Sequence, residues 1–348
     1  MKNKQSKIDS FDPNAPGDEN SNLFGLPFTE EESDIIILPV PWEVTTSYGG
    51  GTSDGPSHIM QASKQVDLYH PDFPNLWKKG IYMQTPNADL IELNNEAKDW
   101  AADIIAAWES GENVAGDDER ALLEKVNGAC ATMNDWVRDS VVSLRKAGKM
   151  VGLLGGDHST PLGYYQAYES EGIDFGILHI DAHMDLRDAY EGFKFSHASI
   201  MFNALKLTQL KKLVQVGIRD FCLSEQHVVD SEKGRVEVFR SEALHMRLYC
   251  GTPWDNLCKE IVGHLPPKVH ISFDIDGLEA MYCPNTGTPV PGGLSYEQIL
   301  HLLRVFKDSG KQLLGFDLVE VASGQDDWNG NVGARLLYRL CSLLGEGH

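Results

Sequence analysis

Residues 177–187, ILHIDAHMDLR, set two carboxylates and an imidazole at alternate positions directly after an apolar run. On an extended backbone each residue changes face, so Asp181, His183 and Asp185 are expected to point the same way. Acids in such a place cost several kcal/mol unless they are paired. A lone D-x-H after a strand usually ends as a polar loop. Two further clusters make a metal site the better reading here. Gly155-Gly156-Asp157-His158-Ser159 and Phe273-Asp274-Ile275-Asp276-Gly277 also follow apolar runs.

The six candidate ligands are His158, Asp181, His183, Asp185, Asp274 and Asp276, with no thiolate among them. This set excludes a structural zinc pattern and favours Mn2+, Co2+ or Ni2+. Four aspartates carry four negative charges, which two divalent ions balance and one does not. Charge counting therefore points to a binuclear centre with bridging carboxylates and ions roughly 3.5–4 Å apart. Such a pair lowers the pKa of a bridging water toward neutrality.

The elements that must position these clusters alternate along the chain. Residues 34–40, 81–84, 150–154, 175–180, 213–216, 236–239, 269–273 and 313–316 read as strands. Helices are expected over 56–64, 160–171, 197–208, 254–262, 295–307 and 331–344. The stretch 95–146 reads as helical with a glycine-containing break near 111–116. Strict βα alternation implies a three-layer α/β/α sandwich with a mainly parallel central sheet. In such sheets ligands gather beyond the carboxyl ends of the strands. All three clusters fall there. Residues 1–22 are polar and are expected to form a flexible N-terminal arm, with 23–348 as one catalytic domain. The loop 47–55 (SYGGGTSDG) lacks the ending of a P-loop and the spacing G-x-G-x-x-G, so it is read as a flexible rim without a phosphate role.

Lys and Arg number 30 against 51 Asp and Glu, a formal charge of -21. That balance argues against nucleic acid and suits a small cationic substrate. Six scattered cysteines without a C-x-x-C pair suggest reduced thiols and a cytoplasmic protein. No apolar run approaches membrane-spanning length, and no membrane partner is expected.

Taken together, the motifs resemble those of the ureohydrolases: arginase, agmatinase, formiminoglutamase, and the guanidinobutyrase and guanidine-hydrolase relatives. The resemblance rests on GGDHS (155–159), DAHMD (181–185), SFDIDGL (272–278), GTPVPGG (287–293) and DLVE (317–320). Residues 186–201, LRDAYEGFKFSHASIM, look like the agmatinase branch. It implies an arginase-like fold and a homo-oligomer, trimer or hexamer. One ion would be held by His158, Asp181, Asp185 and Asp274, the other by Asp181, His183, Asp274 and Asp276. Mn2+ is the first choice and Ni2+ the second. His197 matches a proton shuttle to the leaving amine, Asp276 a hydrogen-bond acceptor for the attacking hydroxide, and Glu320 the partner of the guanidinium.

The implied activity is cleavage of a guanidino C–N bond, releasing urea plus an amine or ammonia. Agmatine or a small guanidino compound such as guanidine is the expected substrate. Arginine is expected to be poor, because no arginase-like loop supplies donors for its carboxylate. The chain departs from the family at Glu279-Ala280 and Ala322-Ser323, in loops expected to border the pocket. Formiminoglutamase, with Arg187 serving a carboxylate, and arginase activity are the alternatives. A metal-bound but catalytically silent regulatory subunit is the alternative from another class. His179 is read as a packed or ligand-orienting histidine, Asp157 as a loop-orienting acid and Cys283 as a packed thiol.

Overall fold

Every position of β1 (Ile35–Val40) is apolar and buried, as parallel strands covered on both faces require. The computed structural model describes residues 2–18, 20–111, 116–324 and 326–346. After β1 come β2 (Ile81–Met83), β3 (Met150–Gly155), β4 (Phe175–Ile180), β5 (Leu210–Ile218), β6 (Val236–Arg240), β7 (Lys268–Asp274) and β8 (Gln312–Val319). They form one sheet in the order β2-β1-β3-β8-β7-β4-β5-β6, and every neighbouring pair is parallel.

Helices cover both faces because alternate strand residues point to opposite sides. In chain order they are α1 (Lys2–Ser10), α2 (Gly55–Ser63), α3 (Ala88–Glu109), α4 (Asp117–Lys146), α5 (Leu162–Ser170), α6 (Ile200–Leu205), α7 (Leu223–Ser231), α8 (Ser241–Tyr249), α9 (Trp254–Gly263), α10 (Tyr296–Asp308) and α11 (Trp328–Glu346). One core joins Ile59, Ile261, Leu302 and Leu337 to Ile37, Leu178 and Val269. The other joins Ile104, Val137, Tyr164 and Met201 to Ile36, Ile177 and Leu213. The expected three-layer α/β/α architecture is therefore present.

Several local expectations change. The stretch 95–146 divides into α3 and α4, and residues 112–115 of the expected break lie outside the described residues. α3 starts earlier than expected, where Asn87 Oδ1 accepts the N–H groups of Asp89 and Leu90. α7 and α8 carry too little apolar periodicity to be foreseen; Glu225 is the buried residue of α7. The polar segment 1–22 carries α1, held by Lys4 to Asp34 at 3.0 Å and Lys7 to Glu32 at 2.6 Å. Ile8 and Phe11 of this segment pack on the core, with Phe11 against Trp77 at 5.2 Å between ring centroids.

The centre of the sheet is what positions the site. β3, β8, β7 and β4 are consecutive neighbours. Register pairs Phe273 with Ile180 and with Leu318, and Asp274 with Val319. Asp181, Asp274 and Glu320 therefore leave the sheet at nearly one level. Among the described residues, no helix is long and apolar enough to cross a membrane.

Candidate metal centre

Beyond Ile180 the chain leaves the strand ladder, and the simple alternation expected for 181–185 gives way to a tighter path. Asp181 accepts the His183 N–H at 2.5 Å, and Asp185 lies at a φ of 54°. His183 and Asp185 consequently serve different groups of side chains. Gly277 admits the close crossing of β7's end over β4's, since a Cβ there would lie 2.7 Å from the Asp181 nitrogen.

In the first group, His158 Nδ1 faces Asp181 Oδ2 at 2.9 Å, Asp185 Oδ2 at 3.0 Å and Asp274 Oδ2 at 3.2 Å. In the second, His183 Nδ1 lies 3.1 Å from Asp276 Oδ2 and 3.4 Å from Asp181 Oδ1. Asp181 thus gives one oxygen to each group. Asp274 enters the first through Oδ2, while its Oδ1 accepts the Asp276 N–H at 2.9 Å. Asp276 Oδ1 accepts the Ala182 N–H at 2.9 Å, which fixes its free oxygen toward His183.

The electrostatics call for added positive charge. Burial opposes protonation of His158, yet Asp181, Asp185 and Asp274 carry it well above its ordinary range. His183 is likewise pushed up to about 12, with Asp276 and Asp181 outweighing burial. Burial and the Asp181 charge raise Asp185 to about 6, and burial with Asp276 and Asp181 carries Asp274 well above the ordinary carboxylate range. Asp181 moves the other way: burial would raise it, but His179 and His158 hold it well below the carboxylate range. His158 Nδ1 is buried and makes no hydrogen bond, although three carboxylate oxygens surround it. Hard oxygen and imidazole donors around an unpartnered nitrogen fit divalent first-row ions. The residues present therefore suit two such ions.

His179 can be assigned a different part. Gln215 Nε2 donates to its Nδ1 at 2.9 Å, so the ring proton sits on Nε2 and goes to Asp181 Oδ2 at 2.8 Å. It orients a candidate ligand. Asp157 accepts from the backbone N–H and the hydroxyl of Ser159 and so shapes its own loop. The Cys283 thiol is buried and pushed far up by desolvation, which suits packing.

Above both groups lies a cavity of about 180 Å³ lined by His183, Asp185, His197 and Glu320, with Tyr48 and Arg187 among its other residues. Glu320 sits at φ 63°, a costly conformation for a residue with a Cβ. Its Oε1 accepts the His158 N–H at 2.9 Å, and its buried Oε2 has no partner. Burial and Asp157 raise its pKa well above the usual range. His197 Nδ1 lies 3.4 Å from Thr45 Oγ1, and its ring meets the edge of Tyr190 at 6.0 Å. Burial, then His183 and His158, push its pKa down to about 4.

The eight candidate ligands and catalytic residues named from the sequence thus gather in the two groups and the cavity above them. Glu279-Ala280 and Ala322-Ser323 do not line the cavity; Ser323 instead donates its N–H to Gly51 O at 3.2 Å. Sequence reasoning missed Thr45 behind His197, and Glu43. The Glu43 carboxylate accepts from Gly51 N, Thr52 Oγ1 and Ser53 N and so pins the glycine-rich loop. An acid four residues before the glycine-rich loop was the available signal.

A parallel α/β sheet with an aspartate–histidine centre beyond its carboxyl edge defines the class of this protein. The arginase family model matches residues 33–342, and the chain belongs to the arginase family. It is 32% identical over 316 residues to the N(1)-aminopropylagmatine ureohydrolase of Thermus thermophilus, covering 90% of this chain and 92% of that protein. It is 29% identical to an agmatinase of Klebsiella pneumoniae, covering 88% and 87%. The proclavaminate amidino hydrolase of Streptomyces clavuligerus shares the fold, with a TM-score of 0.70 at 21% identity, covering 96% of this chain and 100% of that one.

Proposed function

We propose that this chain hydrolyses a guanidino C–N bond, releasing urea and an amine or ammonia, with agmatine or a small guanidino compound such as guanidine as substrate. The observation that carries it is the buried, unpartnered Glu320 oxygen set in one cavity with the two carboxylate–imidazole groups. Relatives named for cleaving agmatine or aminopropylagmatine support the same substrate class.

One ion would be held by His158, Asp181, Asp185 and Asp274, the other by Asp181, His183, Asp274 and Asp276, with Mn2+ first and Ni2+ second. Bound there, they would lower the pKa of a water and supply a nucleophile at neutral pH. Glu320 would take the guanidinium, whose fork of N–H donors a carboxylate matches, and the incoming cation would favour its ionised form. Asp276 would accept a hydrogen bond from the attacking oxygen. His197, neutral because burial holds its pKa near 4, would take the proton released as the C–O bond forms. It would then pass that proton to the nitrogen as the C–N bond breaks. Residues 23–348 would form the catalytic domain of a cytoplasmic homo-oligomer, trimer or hexamer, and six free cysteines fit a reducing compartment.

The test is urea release from guanidine, agmatine, 4-guanidinobutyrate and arginine by protein loaded separately with Mn2+ and Ni2+. Agmatine or guanidine should be turned over and arginine poorly. Efficient arginine hydrolysis with agmatine and guanidine ignored would overturn the substrate assignment. No urea from any of them, with both ions bound, would favour the silent subunit.

A further inference from the structure

We infer that Ser272 and Asp317 are positioning residues for His158: they hold its ring proton on Nε2 and so present Nδ1 as the donor atom to a metal ion. This rests on the reading of His158 as a ligand. His158 Nε2 lies 2.9 Å from Ser272 Oγ, and Ser272 Oγ donates to Asp317 Oδ1 at 2.9 Å. A carboxylate oxygen accepts, so the single hydroxyl proton of Ser272 is committed to Asp317. Ser272 Oγ then has only lone pairs to offer the imidazole, and His158 must donate to it from Nε2. In the neutral ring this leaves the lone pair on Nδ1, the atom that faces Asp181, Asp185 and Asp274.

The far side of Asp317 is also held. Its Oδ2 accepts from Tyr165 OH at 3.0 Å and from His270 Nε2 at 2.9 Å, and Tyr168 OH lies 3.0 Å from His270 Nδ1. Donors therefore reach both oxygens of the carboxylate, all on the face of the sheet that α5 covers. Asp317, Ser272, His270 and Tyr165 are all fully buried. An acid in the middle of the apolar strand LLGFDLV is costly unless it is hydrogen-bonded, and these three donors meet that need. Ser272 is cross-strand partner to Asp317 and lies two residues before Asp274 on β7, so the relay and a candidate ligand share one rigid strand. Ser272 is not a nucleophile, because neither solvent nor a substrate can reach it. Outer partners of this kind tune metal affinity by roughly 10–100-fold.

The test is Mn2+ affinity of the full-length protein, measured by competition with a chelator, together with the thermal melt of the metal-free form. Ser272→Ala should weaken binding of one ion per chain roughly 10–100-fold and spare the other. Ser272→Thr, which keeps the hydroxyl, should restore affinity. Asp317→Asn should weaken the same ion, because an amide N–H toward Ser272 reverses the hydroxyl and moves the imidazole proton to Nδ1. It gives the same test should Ser272→Ala not fold. A purely structural role would lower the metal-free melting temperature while leaving affinity unchanged, and that result overturns the relay. Equal weakening by Ser272→Ala and Ser272→Thr also overturns it. His158→Ala with undiminished affinity would instead overturn the ligand reading, and the relay with it.

Discussion

His197 shows how much a single side chain depends on its surroundings. It is partly buried in the cavity wall beside Thr45, and the neighbouring His183 and His158 add to a burial that already disfavours its charged form. A neutral imidazole can accept a proton and hand it on, whereas a charged one could only give. His197→Asn should keep both ions and reduce kcat by roughly 10²–10⁴-fold, the scale of lost acid–base assistance. Steady-state kinetics with metal content measured in parallel will check it. Unchanged kcat at saturating substrate would remove His197 from the reaction, and loss of an ion would make it a ligand.

At the scale of an element, the glycine-rich loop depends on one carboxylate. Glu43 Oε2 accepts from Gly51 N at 2.7 Å and Ser53 N at 2.9 Å, while Oε1 pairs with Lys98 at 2.7 Å. Gly49 lies so close to Gly287 that a Cβ would meet its oxygen at 2.6 Å. The loop that was expected to be a flexible rim is thus tied at both ends of its turn, and it carries Tyr48 to the cavity. Burial raises the Glu43 pKa, but Lys98 and the Ser53 and Gly51 N–H groups outweigh it and hold the carboxyl below its ordinary value. A depressed carboxyl contributes its stability above the unfolded pKa and loses it as pH falls through the folded one. Glu43→Gln should therefore cost about 1–3 kcal/mol at neutral pH. In urea unfolding the gap to wild type should close in acid. A gap independent of pH would contradict this account.

For the whole molecule, the centre concentrates like charge that folding alone leaves short of compensation. Four aspartates converge on two imidazoles inside a protein of formal charge -21. Ions that bind only the folded chain stabilise it by mass action, about 2.7 kcal/mol at a hundred times the dissociation constant. The melting temperature should therefore rise with Mn2+ concentration and fall with a chelator. Elemental analysis of loaded protein should saturate at two ions per chain. Saturation at one, with Asp276→Ala leaving binding intact, would sink the binuclear centre.

The candidate ligands were legible in the sequence because each cluster follows an apolar run, and strand ends of one parallel sheet must converge on one edge. Alternating βα patterning carried the three layers for the same local reason. The strand order was not legible, since only tertiary packing puts β8 and β7 between β3 and β4. That order decides that Asp317 of β8 reaches Ser272 of β7, and through it His158 beyond β3. The division of 181–185 between two groups was also hidden, because Asp185 turns by a positive φ that no alternation predicts. Short motifs depend on local backbone periodicity; hydrogen bonds between residues 45 and 114 positions apart exist only once the sheet is assembled.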